Sequence, residues 1–424
     1  MRRFTVLLLF FYLAATTAIG GGYQVGLHSM RNIGMGLIGT SLSYDASSLF
    51  YNPGGASFIF TSNELPRLIP GRTFRNEHWS FSGGISFVMA RATFQAQDVM
   101  YQANLNNQLS TPFYLYGLYM PNENLSLGIA INTPYGNRLA WEDDWKGRYL
   151  IQNLSFRATT IQPTVSYKFG DFIGIGVGLV YALGNVDVNK AIPLYDTTTR
   201  NYGSLNIKGN TSNIGFNAGI MVHPVRRMSI GIDYRSGIKM NVKGAEATFS
   251  VPSSLAKSFP KNKVDVSLPL PANLDFGASY DFGRFMLGMS LNFVFWNVYD
   301  SLVFNFQTKT DAVDRTAIPT LYQNRLIIRV GGQYTFKRLV TIRAGGYYDP
   351  SPVPDDYLSP MTPSTNEIGF TCGISISPAE GFSIDAAFLY LMGMERTGSY
   401  SPENFAGTYK TGFSIPGIGL TYNF

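Results

Sequence analysis

The last eight residues alternate strictly. Ile418, Leu420, Tyr422 and Phe424 are apolar, while Gly417, Gly419, Thr421 and Asn423 are small or polar. A repeat of two is the period of a β-strand, with bulk on one face and little on the other. The same pattern recurs upstream. Met228, Ile230, Ile232 and Tyr234 oppose Ser229, Gly231, Asp233 and Arg235. Leu326, Ile328, Val330, Tyr334 and Phe336 oppose Arg325, Ile327, Arg329, Gln333 and Thr335. Phe382, Ile384, Ala386, Phe388 and Tyr390 alternate with Ser383, Asp385, Ala387 and Leu389. In a soluble sandwich the polar face meets water. Here it mixes Gly with Arg, Asp and Gln, which suits a crowded polar lumen. Segments also end in aromatics, as at Tyr167/Phe169, Tyr334/Phe336 and Tyr422/Phe424. Aromatic girdles of this kind mark a bilayer interface.

Composition narrows the choice. The chain is 45% hydrophobic and 14% aromatic but only 14% charged. Soluble domains carry about 25% charge. Disordered chains have few aromatics and much charge, so disorder is excluded. Cys372 is alone, so there is no disulfide framework. The net charge of +6 is spread thinly, with no basic run beyond pairs such as Arg226-Arg227, which argues against a nucleic-acid partner. A membrane-spanning helix needs about 20 apolar residues. The one apolar run near that class is Thr5 to Ala18, behind Arg2 and Arg3 and before the small residues Ala18 and Gly20. It reads as a secretory signal peptide over residues 1–20, cut after Gly20. An exported chain of low charge with no spanning helix is expected to cross a membrane with strands.

The links between strands support this. Short polar turns fall at Pro121-Asn122-Glu123-Asn124, Gly170-Asp171, His223 to Arg227, Asp281 to Arg284, Lys337-Arg338 and Pro378-Ala379-Glu380. Longer irregular stretches lie near residues 97–110, 134–147, 188–204, 245–262, 306–320, 349–365 and 394–406. Six short turns and seven long loops join about fourteen strands, as in outer-membrane barrels with short periplasmic turns and long external loops. Residues 73–424 are thus expected to form an all-β transmembrane antiparallel barrel, embedded in outer-membrane lipid and lipopolysaccharide of a Gram-negative cell. The barrel is expected to be monomeric and to be handed to the barrel-assembly machinery through Phe424. Residues 21–72 do not read as barrel. They combine many glycines with Leu27, Ile33, Met35, Leu37 and Leu42, and Met30 to Ser48 has room for one or two short helices. That apolar content is expected inside the lumen, as a hatch or plug.

Several motifs then carry a family resemblance. The stretch Gly22-Tyr23-Gln24 and the stretch Ser43-Tyr44-Asp45-Ala46 followed by Tyr51-Asn52-Pro53 lie in the plug. Pro134-Tyr135-Gly136 precedes Asp144-Trp145-Lys146-Gly147-Arg148-Tyr149. Tyr234-Arg235-Ser236, Asp349 to Pro354 and Gly407-Thr408-Tyr409-Lys410 follow. In order and spacing the chain resembles the FadL/TodX family of outer-membrane transporters for hydrophobic compounds. Gly54 stands where the family's hatch motif ends in Ala. The resemblance implies a fourteen-stranded barrel, an N-terminal hatch, and passive uptake of long-chain fatty acids or other hydrophobic small molecules. It also implies a third strand kinked inward beside a hole in the wall.

The third strand offers residues for such a kink. Leu125, Leu127, Ile129 and Ile131 alternate with Ser126, Gly128, Ala130 and Asn132, and the pattern breaks at Thr133-Pro134-Tyr135-Gly136. Proline has no amide to donate and is confined to edges, ends and bulges of sheets. Either the strand continues past Pro134 with pairing interrupted, or it ends at Asn132 and a loop begins. Gate or kink candidates are therefore Asn52, Pro53, Pro134, Tyr135 and Gly136. Ligand-pocket candidates are the hatch residues Tyr23, Leu27, Ile33, Met35 and Leu37, for which plug packing is an equal reading. Trp141 and Trp145 either grip a tail near the outer interface or anchor the barrel. The family places head-group cations past the fifth strand and before the tenth. The nearest basic residues are Lys190 and Arg315, both slightly off register. Arg325, Arg329 and Arg343 face inward by parity, with Asp233 and Asp385 as candidate ion-pair partners.

Other patterns carry no chemistry. The glycines of Gly170 to Gly178 resemble a dinucleotide fingerprint, but Ile173, Ile175, Val177, Leu179 and Tyr181 keep period two and no helix follows. His28, His78 and His223 have neither metal spacing nor triad logic. Glu142-Asp143-Asp144 reads as a solvated loop run, and Met392-Gly393-Met394 as a strand end. No cofactor and no enzymatic site are expected. The alternative to a transporter is a structural or adhesive barrel with a blocked lumen.

Overall fold

Along most strands of the computed structural model one face points outward and the other into a lumen, as the alternation demands. Ile328 and Val330 are exposed on the outside, while their neighbours Ile327 and Gly331 are buried inside. The structure describes residues 22–60, 78–106, 109–336 and 339–424. The expected signal peptide, residues 61–72 of the expected plug and the Lys337-Arg338 turn lie outside them.

Fourteen antiparallel strands close on themselves. They are β1 (Trp79–Ser86 and Met89–Ala96), β2 (Gln102–Asn104 and Phe113–Tyr119), β3 (Leu125–Ala140), β4 (Asn153–Phe169) and β5 (Ile173–Asp196). Next come β6 (Asn201–Val225), β7 (Met228–Arg235 and Ile238–Ser250), β8 (Asn262–Leu270 and Asn273–Asp281) and β9 (Phe285–Val294 and Ser301–Thr310). The set ends with β10 (Val313–Pro319 and Arg325–Phe336), β11 (Val340–Asp349), β12 (Glu367–Ala379), β13 (Phe382–Gly393 and Arg396–Tyr400) and β14 (Phe405–Asn423). Each strand pairs with its sequence neighbour, and β1 pairs with β14 from Ser80↔Asn423 to Ser86↔Gly417. Closure removes every free edge, which is what lets a sheet sit in hydrocarbon. Phe424 completes the seam: its amide donates to the Trp79 carbonyl at 2.9 Å.

The long-loop end differs from expectation in one respect. Residues 188–204 and 306–320 are ladder rather than irregular loop. β5 and β6 stay paired up to Asp196↔Asn201, and β9 and β10 up to Thr310↔Val313. At 24 and 25 residues, β5 and β6 far exceed the roughly 9–11 needed to cross a bilayer. Their outer halves therefore form a wall that stands above the membrane.

The N-terminal segment fills the lumen. It contains α1 (Met30–Gly34), α2 (Ser48–Tyr51) and a 3-10 turn at Pro53–Phe58. Such short helices are unstable alone and hold their shape by packing. Close approach to the wall depends on wall glycines: a Cβ at Gly231 would collide with the Thr40 carbonyl, and one at Gly331 with the Met35 carbonyl. Polar contacts complete the docking. The Arg31 guanidinium pairs with Asp385 of β13 at 3.2 Å and with Asp45 of the plug at 3.4 Å, and also donates to Ser383. Asn52 accepts from the Gly54 amide at 2.9 Å and donates to the carbonyls of Thr40 at 2.7 Å and Ile220 at 3.0 Å. Asn52 and Pro53 thus fix the plug to the wall at β5 and β6.

Candidate functional site

The third strand continues past Pro134 to Ala140, and its register against β4 shifts between Asn132 and Tyr135. Alternation stops there. Residues 132–137 are all buried, so neither face of this stretch meets lipid and the strand has moved into the lumen. Pairing of β3 with β2 ends at Tyr114↔Asn132. Above that point the two strands are bridged by the Phe113 amide on Thr133 Oγ1 at 3.4 Å and by the Asn106 amide on the Ala140 carbonyl at 2.8 Å.

The displaced backbone finds partners in the plug. The Val25 amide donates to the Pro134 carbonyl at 2.8 Å, and the Gly136 amide donates to the Tyr23 carbonyl at 2.9 Å. Residues 23–25 thus act as a short extra strand against β3. The same segment is tied to a break in β8 around Pro271. Tyr23 Oη donates to the Pro269 carbonyl, Tyr135 Oη donates to the Pro271 carbonyl at 3.2 Å, and Gln24 Nε2 donates to Asn273 Oδ1 at 2.8 Å.

Two cavities flank this junction. The outer one lies at the long-loop end. Its walls are mostly apolar, with Phe156, Met240, Val266, Leu268, Leu302 and Phe304 prominent. The inner one lies between plug and wall beside the displaced stretch of β3. It is reached by Leu27, Leu37, Pro134 and Tyr135, and it also holds Asp233, Arg235, Asp275, Arg329, Asp349 and Glu367. The Tyr23 ring stands between them. It packs edge-on against Trp296 at 4.9 Å and against Phe156 and Tyr299 at 5.7 Å, and lies 6.5 Å from Tyr135. Phe156 and Tyr299 line the outer cavity, and Tyr135 lines the inner one.

The expected pocket residues therefore separate. Tyr23 lines the outer cavity, and Leu27 and Leu37 the inner one. Ile33 and Met35 line neither; both are fully buried plug packing, Met35 against Ile38, Leu42 and Met286. Trp141 and Trp145 stack on each other at 4.5 Å and are buried under the external loops with Phe94 and Phe405. Their indole N–H groups donate to Pro360 and Ile151 carbonyls at 3.2 and 2.8 Å. They meet neither lipid nor either cavity. Lys190 is half-buried and Arg315 exposed on the upper extensions of β5 and β10, both away from the two cavities. Register alone could not show that those extensions rise above the lumen.

The cations beside the inner cavity are Arg235 and Arg329. Arg235 lies over the Phe50 ring at 4.1 Å and donates to the Phe50 carbonyl at 2.7 Å and Gln162 Oε1 at 3.0 Å. Arg329 pairs with Asp275 at 3.6 Å. Parity already turned both inward; what sequence could not supply was which of them the plug covers. Arg31, Trp296 and Gln24 were not singled out, because their roles arise from contacts far apart in the chain. Asp385 does pair with an arginine, but with Arg31 of the plug. Asp233 accepts from Asn217 at 2.7 Å. His28 of the plug sits against Phe50 at 3.9 Å, and burial, helped by Arg235, pushes its imidazole down to about 3, so it is neutral at ordinary pH.

A closed fourteen-stranded barrel with a packed plug and lumen cavities defines a class of outer-membrane protein. The model of the family described as outer membrane protein transport protein (OMPP1/FadL/TodX) matches residues 11–424, and the chain belongs to that family. It is similar to the 47 kDa outer membrane protein of Pasteurella multocida, 24% identical over 73% of this chain and 76% of that one. It is also similar to the long-chain fatty acid transport protein of Salmonella typhi, 20% identical over 92% of each. Among solved structures, a Pseudomonas aeruginosa FadL homologue superposes with a TM-score of 0.80, at 17% identity over 95% of this chain and 99% of that one. The Ralstonia pickettii toluene transporter TbuX gives 0.68, at 15% identity over 93% and 98%. The protein is an outer-membrane barrel of Gram-negative bacteria with the fold of a hydrophobic-compound transporter, and its family and structural neighbours are transport proteins rather than enzymes.

Proposed function

We propose that the protein carries hydrophobic small molecules passively across the outer membrane, by capture, gating at Tyr23 and lateral exit beside β3. The observation that carries this reading is the pair of cavities on either side of the junction where residues 23–25 pair with β3, with Tyr23 lining the outer one. An apolar molecule entering among the external loops loses water in the outer cavity, gaining about 0.8 kcal/mol per methylene buried. Tyr23 closes the way inward. Movement of residues 23–25 away from β3 would join the cavities, a shift between conformations that ligand binding can bias. The inner cavity abuts Pro134 and Tyr135, where the β2–β3 ladder lapses, and the molecule leaves there towards the lipid. No energy source is required, because flux follows the gradient.

A structural or adhesive barrel would have no use for an apolar-lined cavity beneath its external loops. Two relatives or neighbours bear names that point to different cargo, a long-chain fatty acid and toluene. Uptake of labelled oleate and labelled toluene by cells with and without the protein tests the proposal. Faster uptake of at least one is expected with it; equal uptake of both defeats the reading.

A further inference from the structure

The inner cavity is unlike the outer one in its charge. Four carboxyl side chains, Asp233, Asp275, Asp349 and Glu367, share it with two guanidiniums, Arg235 and Arg329. Both guanidiniums are already engaged, Arg235 by plug and wall oxygens and Arg329 by Asp275. Among the described residues, Asp275 is the one carboxyl of the four in an ion pair. Asp349 and Glu367 stand directly opposite each other across the β11–β12 ladder.

Two of the polar atoms left over here belong to ionisable side chains of the wall. Glu367 is 1% exposed, yet its Oε1 has no hydrogen-bond partner, and neither has the buried Nε of Arg329. A buried polar atom without a partner costs stability, and it is satisfied by whatever ligand or water enters. The cavity thus offers an unused acceptor and an unused donor, but no guanidinium without a partner. A carboxylate can serve only the donor and must bury its charge with no free cation to balance it. A plain hydrocarbon serves neither. A hydroxyl can donate to one and accept from the other kind of group without bringing charge.

We propose that the inner cavity takes hydrophobic molecules whose polar end is a hydroxyl, an alcohol or phenol, in preference to carboxylates. This rests on the transport reading above. The test uses three probes with the same body: para-propylphenol, para-propylbenzoate and propylbenzene. Their binding to the purified full chain in detergent is measured by equilibrium dialysis at neutral pH, with empty micelles as blank. Propylphenol is expected to bind about tenfold more tightly than either of the others. Glu367→Leu should remove its advantage over propylbenzene, and Glu367→Gln, which keeps an acceptor oxygen, should retain much of it. Heat-modifiable migration in gels confirms that each variant barrel is folded. If propylbenzoate binds as well as propylphenol, or all three bind alike, the head-group proposal is overturned while the transport reading stands. If none binds above the blank, the transport reading falls with it.

Discussion

The Val25 amide donates to the carbonyl of Pro134 at 2.8 Å, so the plug pairs with the edge of β3 that β2 leaves open. Proline removes one donor from β3 and the bulge beside it ends the ladder to β2. Buried backbone groups must still be satisfied. The chain meets that demand with its own N-terminal residues rather than with a neighbouring strand. Closure of the lumen and repair of the sheet are therefore one interaction.

Replacing Tyr23 by Ala removes the ring between the two cavities and its bond to the Pro269 carbonyl. In planar bilayers the variant should show clearly higher conductance than the parent barrel. Parental conductance in a folded variant would mean that Tyr23 does not divide the lumen.

Filling the space beside the displaced strand should act downstream of the gate. Gly136→Trp is expected to slow uptake of hydrophobic probes severalfold while leaving heat-modifiable migration intact. Unaltered uptake by a folded variant counts against lateral exit.

The Arg31–Asp385 pair is buried and joins plug to wall. Arg31→Ala leaves Asp385 buried without its main partner, a change that costs about 3 kcal/mol. Limited proteolysis should cut the plug of this variant much faster than that of the parent, with the barrel fragment unaffected. Equal cleavage rates would show that the ion pair does not hold the plug.

His28 supplies a pH dependence. Its folded pKa is pushed down to about 3 by burial and Arg235, below its ordinary value of 6.5. An undocked plug therefore binds the proton first, so docking is fully supported above 6.5 and weakens as pH falls from there towards about 3. Carboxylates titrate over part of the same range, so the comparison is with His28→Gln. Proteolytic release of the plug should rise less steeply on acidification in the variant. Identical acid profiles would exclude His28 as a contributor.

Trp145 lies under the external loops, stacked on Trp141. Trp145→Ala should destabilise the loop cap by about 3–5 kcal/mol, as large aromatic truncations in cores do. Faster protease cleavage in residues 97–110 or 394–406 would report it, and unchanged loop protection would refute it.

Period-two alternation made the wall readable, since lipid on one side and a lumen on the other leave each strand two unlike faces. The turns were equally plain, because Gly170-Asp171 and Asp281 to Arg284 carry their own turn chemistry. The outer halves of β5 and β6 were not. Above the bilayer the outward face meets water, the contrast between faces fades, and residues 188–204 look like loop. The site was legible in part. Pro134 announced a break, but which groups repaired it depended on Tyr23 and Val25, over a hundred residues away. Arg235 and Arg329 fell on the inward face by parity, whereas Lys190 and Arg315, the basic residues nearest the family's positions but off register, stand too high. Trp141 and Trp145 have the composition of a membrane anchor and the environment of a core, and only packing distinguishes the two.

The wall glycines at positions 231 and 331 have a consequence for how such a chain can vary. Where the plug comes to rest is set by absent atoms on the barrel, because its carbonyls at Thr40 and Met35 lie where a β-carbon would be. The barrel is the mould and the plug backbone the casting. Side chains on the plug that face the cavities can be exchanged for others without disturbing the fit. One added methyl group on the mould would shift the casting itself. Side-chain identity is thus free to drift on one partner while the geometry of closure is held by the other.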